Sequence, residues 1–301
     1  MAGSIRNRKS DKKQQRNLGR PFGFTMVFVL LFALVYTFVF PNTSGFAPGD
    51  NEIIVAFLDV GQGDSILIWS RDNAVLIDGG EFRQRDVVMG YIRRAGISRL
   101  DYVIATHPHS DHIGGLVGVL GQVEVGQVLM PDVVHTTATF ENFISIIENN
   151  QISVASPEVG ERFQAGIIEF IVLAPQPVAG NLNDASLVVR MQHGETSFIF
   201  TGDAEAASER AMVVSGLDLN SDVLKVGHHG SRTSTTAAFL DAVSPRAAVI
   251  SVGANNQFGH PHADVMTRLY ERGIVVYRTD DMGTIMMATN GEKIVLVQSM
   301  E

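Results

Sequence analysis

Thr106-His107-Pro108-His109-Ser110-Asp111-His112 (THPHSDH) decides how this chain is read. It follows the apolar run YVIA at residues 102–105, so three imidazoles and a carboxylate stand at the end of a buried strand. Imidazole and carboxylate are ligands for zinc, manganese and iron. Two histidines two residues apart on extended backbone can converge on one ion, while a turn can aim Asp111 and His112 at a second. A polar surface loop would not need this spacing, and Gly114-Gly115 behind it permits close packing.

Seven of the nine histidines fall in three short clusters, each after a β-type run. The second cluster is Gly227-His228-His229-Gly230-Ser231, after DVLKV. Adjacent histidines on extended backbone do not usually reach one ion, so His228 is favoured as the ligand, with His229 supporting it or facing substrate. The third is Gly259-His260-Pro261-His262; Pro261 also suits a first helical position, so His260 either packs beside a helix start or functions. Between the first two clusters lies Thr201-Gly202-Asp203, at the end of SFIFT. Asp203 can bridge two cations there, or serve as a helix N-cap. His135 and His193 carry no chemical reading, and solvent exposure accounts for both.

The 301 residues contain no cysteine, which excludes a disulfide framework, cysteine–zinc sites and a cysteine nucleophile. With 45% hydrophobic and 18% charged residues, a packed core is available and wholesale disorder is excluded. No short-period repeat is present. Strands are expected at residues 53–60, 65–70, 74–77, 102–105, 128–130, 167–173, 187–192, 197–201, 223–226, 247–252, 274–278, 284–288 and 293–297. Helices are expected at 86–95, 140–148, 204–214 and 263–272, with one opening near 113–120. Mixed strands and helices with chemistry at strand ends predict a layered α/β sandwich.

Charge is unevenly spread. The first twenty residues hold seven basic residues against Asp11, and the rest holds 16 basic and 31 acidic residues. Residues 21–40 (PFGFTMVFVLLFALVYTFVF) carry no charge, and a helix of that length spans roughly 30 Å, a bilayer core. No A-x-A pattern follows, so the expectation is an uncleaved signal anchor rather than a cleaved signal peptide. The positive tail stays cytoplasmic, placing the C-terminal part outside the membrane. The expected organisation is a basic cytoplasmic tail (1–20), a single membrane span (21–40), a linker (41–51) and a hydrolase domain (52–301).

Taken in order, THPHSDH, TGD and HHGS resemble the metallo-β-lactamase superfamily, and residues 52–298 carry the resemblance. FLDVGQGDS at 57–65, IDGG at 77–80, SLVVR at 186–190, TGDAE at 201–205, LKVGHHGSRTS at 224–234 and YRTD at 277–280 are similar to the hydrolase domain of ComEC-type DNA-internalisation competence proteins. The resemblance implies an αββα sandwich with two metal ions, zinc or manganese, at one edge between two β-sheets. It implies that His107 and His109 hold one metal, that Asp111, His112 and His228 hold the other, and that Asp203 bridges. Asp78 is similar to the family's acidic residue that supports the metal-binding loop, and Asp59, Gln62 and Asp64 belong near the site.

Two departures stand out. The superfamily usually supplies a further histidine from the stretch matching residues 181–186 (NLNDAS), which here has none; Asp184 is the best substitute, with a water as the rival. Competence proteins of this type also carry a multi-helix channel, for which one expected span leaves no room. DNA uptake would then need a separate channel.

Such metals lower the pKa of bound water toward neutrality. The expected catalytic residues are Asp111, His229 and His260, with His229 or His260 protonating the leaving group. Ser231, Arg232 and Thr233 are expected to hold a phosphate. The expected substrate is single-stranded DNA or another phosphodiester. A small ester, lactone or lactam is the alternative, since fold does not determine substrate. Arg83, Arg85, Arg93 and Arg94 form either a basic patch or a solvated helix face.

Overall fold

A computed structural model describes residues 47–175 and 181–297. The basic tail, the expected anchor at 21–40 and most of the linker lie outside the described residues. Among the described residues, no helix is long and apolar enough to cross a membrane.

Strand β1 (Ile53–Phe57, IIVAF) is buried at every position. Alternation explains this: Ile53, Val55 and Phe57 enter one core, while Ile54 and Ala56 enter another. A strand buried on both faces needs a layer on each side, and each fully buried Ile or Phe contributes about 1.5–3 kcal/mol of transfer free energy. Three cores result, as four stacked layers require. The central one joins the two sheets, with Phe57 and Phe200 facing each other at a ring-centroid distance of 6.1 Å. The outer two lie under helices: α1 (Arg85–Arg94) and α4 (Ala138–Asn149) on one side, and α5 (Ala206–Val214), α6 (Ala237–Val243) and α7 (Ala263–Glu271) on the other.

The first sheet adds β2 (Ile66–Trp69), β3 (Ala74–Ile77), β4 (Arg99–Ile104), β5 (Glu124–Leu129), β6 (Ser153–Ala155), β14 (Ile285–Thr289) and β15 (Ile294–Val297), in the order β15-β14-β1-β2-β3-β4-β5-β6. The second contains β7 (Arg162–Ala165), β8 (Ile168–Ala174), β9 (Val188–His193), β10 (Thr196–Phe200), β11 (Val223–Lys225), β12 (Ala247–Ile250) and β13 (Val275–Arg278), in the order β13-β12-β11-β10-β9-β8-β7.

Parallel pairing positions the site. β3 pairs β4 in parallel, and β10, β11 and β12 are mutually parallel neighbours. Their C-terminal ends release Asp78, His107, Asp203, His228 and Ser251, and ligands bind outside such ends in α/β sheets. The two sheets meet where the Leu187 N–H donates to the Thr106 carbonyl at 2.8 Å.

The αββα expectation holds for the described residues, with local differences. The histidine-rich segment turns helical at α2 (Ser110–Ile113), so Asp111 and His112 ride on a helical turn. α3 (Leu116–Val119) follows it. A Cβ on Gly115 would lie 2.0 Å from the Gly79 carbonyl oxygen, so that crossing requires glycine. β6, β7 and α6 were not foreseen. α6 is set by Thr236, whose hydroxyl accepts from the Phe239 N–H, and by burial of Phe239, Leu240 and Val243.

Candidate metal centre

Asp78, at φ 56°, leaves β3 and turns its carboxylate onto the histidine segment. It accepts from the Thr106 N–H (2.8 Å), the Thr106 hydroxyl (2.7 Å) and His112 Nδ1 (2.8 Å). Holding the Nδ1 proton leaves His112 Nε2 free to face inward, the arrangement that metal-ligating histidines use. Asp78 thus braces Thr106 and the His112 ring.

Asp203 is buried at the end of β10, its N–H donating to the Ser186 hydroxyl at 3.1 Å. Its two oxygens face two donor groups. Oδ2 lies 3.7 Å from His107 Nε2, which is 2.9 Å from His109 Nδ1. Oδ1 lies 3.3 Å from His112 Nε2 and 3.5 Å from His229 Nε2, and the latter is 3.3 Å from Asp111 Oδ2. The donor atoms of His107, His109 and Asp203 lie within 4.8 Å of one another, as do those of Asp111, His112 and His229.

Three buried atoms that face one another, His112 Nε2, His229 Nε2 and Asp203 Oδ1, have no hydrogen-bond partner. Buried polar atoms almost always find one. Orphans of this chemistry aimed at one point fit a divalent cation.

The local field says the same. Burial opposes ionising Asp203, yet the His112 and His229 imidazoles hold it well below the usual carboxylate range. Burial opposes charging His229, but Asp203, Asp111 and Asp64 push it up to about 10. His112 is raised in the same way, chiefly by Asp203 and Asp78 against its burial. Burial instead drives His107 well down, aided by the neighbouring His112.

Asp64 and Lys225 complete the wall. Lys225 Nζ, fully buried, sits 2.5 Å from Asp64 Oδ2 and donates to the Val226 carbonyl at 3.0 Å. Asp64 Oδ1 lies 3.3 Å from His229 Nδ1, which also faces the Ser251 carbonyl at 3.0 Å. The Asp64 loop rests on the metal segment through Gly63 (φ 133°), where a Cβ would lie 2.3 Å from the Asp111 carbonyl oxygen. Lys225 was missed in the sequence, although a lysine inside the apolar run VLKV signals a buried partner.

Several expected residues stand elsewhere. His229, not His228, joins Asp111 and His112. Both histidines adopt left-handed backbone, φ 48° and 53°, and this sends adjacent side chains to different oxygens of Asp203. His228 Nε2 lies 3.7 Å from Oδ2, on the His107 side, and its Nδ1 lies 3.0 Å from Glu205 Oε1. Asp184 stands outside both donor groups: its Oδ1 accepts from the N–H groups of Glu205 and Ser208, both at 3.1 Å. It caps α5, the role that Asp203 leaves open.

Burial, with His229 and His228 nearby, pushes His260 down to about 4. The Ser231 and Thr233 hydroxyls pair at 2.9 Å, Thr233 donates to Glu205 at 2.9 Å, and Arg232 is exposed beside them. His193 is buried, 7% exposed, with Nε2 3.2 Å from the Asn51 carbonyl oxygen, so solvent does not explain it. Arg85 and Arg94 lie over Phe82 and Tyr91, and these contacts hold them along their own helix segment.

A sequence profile of the metallo-β-lactamase superfamily matches residues 58–254. The chain belongs to the metallo-β-lactamase superfamily. Family and donor set together give a metal-dependent hydrolase. ComE operon protein 3 of Bacillus subtilis is 33% identical over 250 residues, covering 77% of this chain and 32% of that protein. Competence protein ComA of Neisseria gonorrhoeae is 32% identical over 248 residues, covering 78% of this chain and 32% of that protein. The chain thus spans about a third of the length of these relatives. In fold it is similar to the metallo-β-lactamase fold protein YhfI of Bacillus subtilis (TM-score 0.51, 15% identity, covering 79% of this chain and 100% of that one). The diiron β-hydroxylase CmlA of Streptomyces venezuelae shares the fold too (TM-score 0.51, 16% identity, 77% of this chain and 53% of that one).

Metal-free protein should show the charge imbalance directly. His229 titrates near 10 when folded against about 6.5 unfolded. Its contribution is present below about pH 6.5 and lost as pH rises through about 10. In chelator, the melting temperature should fall across that interval; a rise there would contradict the assignment.

Proposed function

We propose that the chain is a membrane-anchored phosphodiesterase that cuts single-stranded DNA on the outer side of the membrane, using two divalent metals, zinc or manganese. The observation that carries the reading is the buried Asp203 carboxylate, with a nitrogen-rich donor group on each oxygen. In this reading His107, His109 and Asp203 hold one metal, and Asp111, His112, His229 and Asp203 hold the other. The relatives named as competence proteins support DNA as the substrate, and a separate uptake channel is the proposed partner.

When bound, the metals supply an activated water and neutralise charge on the substrate oxygen. The chain's own groups orient them: Asp78 fixes the His112 ring, and Asp64 with the Ser251 carbonyl fixes that of His229. Glu205 holds His228 beside Asp203 Oδ2, with Arg232 on the rim to meet a phosphate. The second reading, a small ester, lactone or lactam, is favoured by charge: 31 acidic against 16 basic residues after residue 20 repel a polyanion.

Three measurements test this. Metal analysis of Asp203→Ala should show loss at both positions, whereas His229→Ala should lose about one equivalent and more than His228→Ala. A full complement in Asp203→Ala would end the bridging role. Detergent-solubilised full chain should cleave single-stranded DNA and bis(p-nitrophenyl) phosphate, with manganese at least as effective as zinc, and His107→Ala should abolish both. Turnover of a lactone or β-lactam that needs His107, with no phosphodiester cleavage, would support the second reading instead. Protease added to intact spheroplasts should digest the hydrolase domain; protection until lysis would reverse the topology.

A further inference from the structure

Rings rise from the buried centre to the surface in a shallow stair. His112 and His229 have centroids 5.3 Å apart and planes inclined by 36°. His229 and His260 follow at 6.4 Å and 29°, then His260 and Phe258 at 5.6 Å and 26°. The last ring is 53% exposed. Successive planes are inclined by 26–36°, and the series leads from His112 at the buried centre to the exposed ring of Phe258.

The loop that carries Phe258 is braced. Asn256 Oδ1 accepts from the Phe258 N–H at 3.1 Å and the His260 N–H at 3.0 Å. Asn256 Nδ2 donates to the carbonyls of His260 at 2.7 Å and Gly253 at 3.0 Å. Gly253 N–H donates in turn to Gln62 Oε1 at 3.3 Å, tying the loop to the segment that carries Asp64. An apolar ring held in water by a built loop, one ring away from the site, is placed for a flat apolar partner rather than for the core.

We infer that Phe258 is a stacking platform for a nucleobase next to the scissile phosphate, which makes the substrate a single strand with unpaired bases. The inference rests on the phosphodiesterase reading and deepens it. A phosphate at the metal centre leaves its flanking base on the His260–Phe258 side, while Arg232, whose N–H donates to His262 Nδ1 at 3.0 Å, stands beside that path on the adjoining loop. Stacking on neighbouring bases within a duplex would cover the base face that Phe258 needs. Stacking of a base on an aromatic ring also tolerates any sequence, because every base has a π-face.

The test pairs a variant with a substrate lacking the same contact. Full-length wild type, Phe258→Ala and Phe258→Trp are compared on a single-stranded oligonucleotide and on a strand of the same length built of abasic residues. Strand binding is measured by fluorescence anisotropy in parallel. Phe258→Ala should raise KM on the normal strand by about tenfold with kcat little changed, and Phe258→Trp should restore it. On the abasic strand all three should match. An unchanged KM for Phe258→Ala, or the same loss on both strands, overturns the platform while leaving the phosphodiesterase reading intact; an unchanged KM would leave Phe258 to a protein or lipid contact. A wild type that neither binds nor cleaves either strand overturns both.

Discussion

Both donor groups close on one carboxylate, that of Asp203. Its Oδ2 faces His107 and His228, and its Oδ1 faces His112 and His229. These residues arrive from three strand ends in two sheets, so the site exists only when the sheets are stacked in register. Thr106 ties that stacking to the chemistry: its carbonyl accepts from Leu187 in the second sheet, and its N–H and hydroxyl are held by Asp78 in the first.

Charge balance then fixes what the centre needs. Asp64, Asp78 and Asp203 are buried and Asp111 is partly exposed, while Lys225 is the one buried lysine or arginine among the described residues that meets them. Uncompensated buried carboxylates cost several kcal/mol each. Protons on His112 and His229 offset this in the metal-free protein, and divalent cations do so more completely. Lys225 offsets the charge of Asp64, and Asp64 in turn helps hold the proton on His229.

The fold was legible because its layers write a simple pattern. Strands buried on both faces read as apolar runs, and chemistry follows those runs at 106–112, 201–203 and 227–231. The donor types were equally visible. The different placements of His228 and His229 were not, because they depend on two successive left-handed residues, which an extended reading of GHHG does not anticipate. The contacts of Asp184 were hidden for a related reason: it stands far ahead of α5 in the chain, and sequence order does not show that its Oδ1 accepts from the Glu205 and Ser208 N–H groups. Nothing in the string TGDAE marks Glu205, since its partner His228 lies 23 residues on. The short edge strands β6 and β7 carry too few apolar positions to stand out from loop.

Anomalous scattering from crystals of the manganese-loaded protein tests the central claim most directly. Two peaks are predicted, one among His107, His109 and Asp203, the other among Asp111, His112, His229 and Asp203, with one oxygen of Asp203 on each. A single peak, or a second metal held by Asp184 or by His228 in place of His229, would contradict the account.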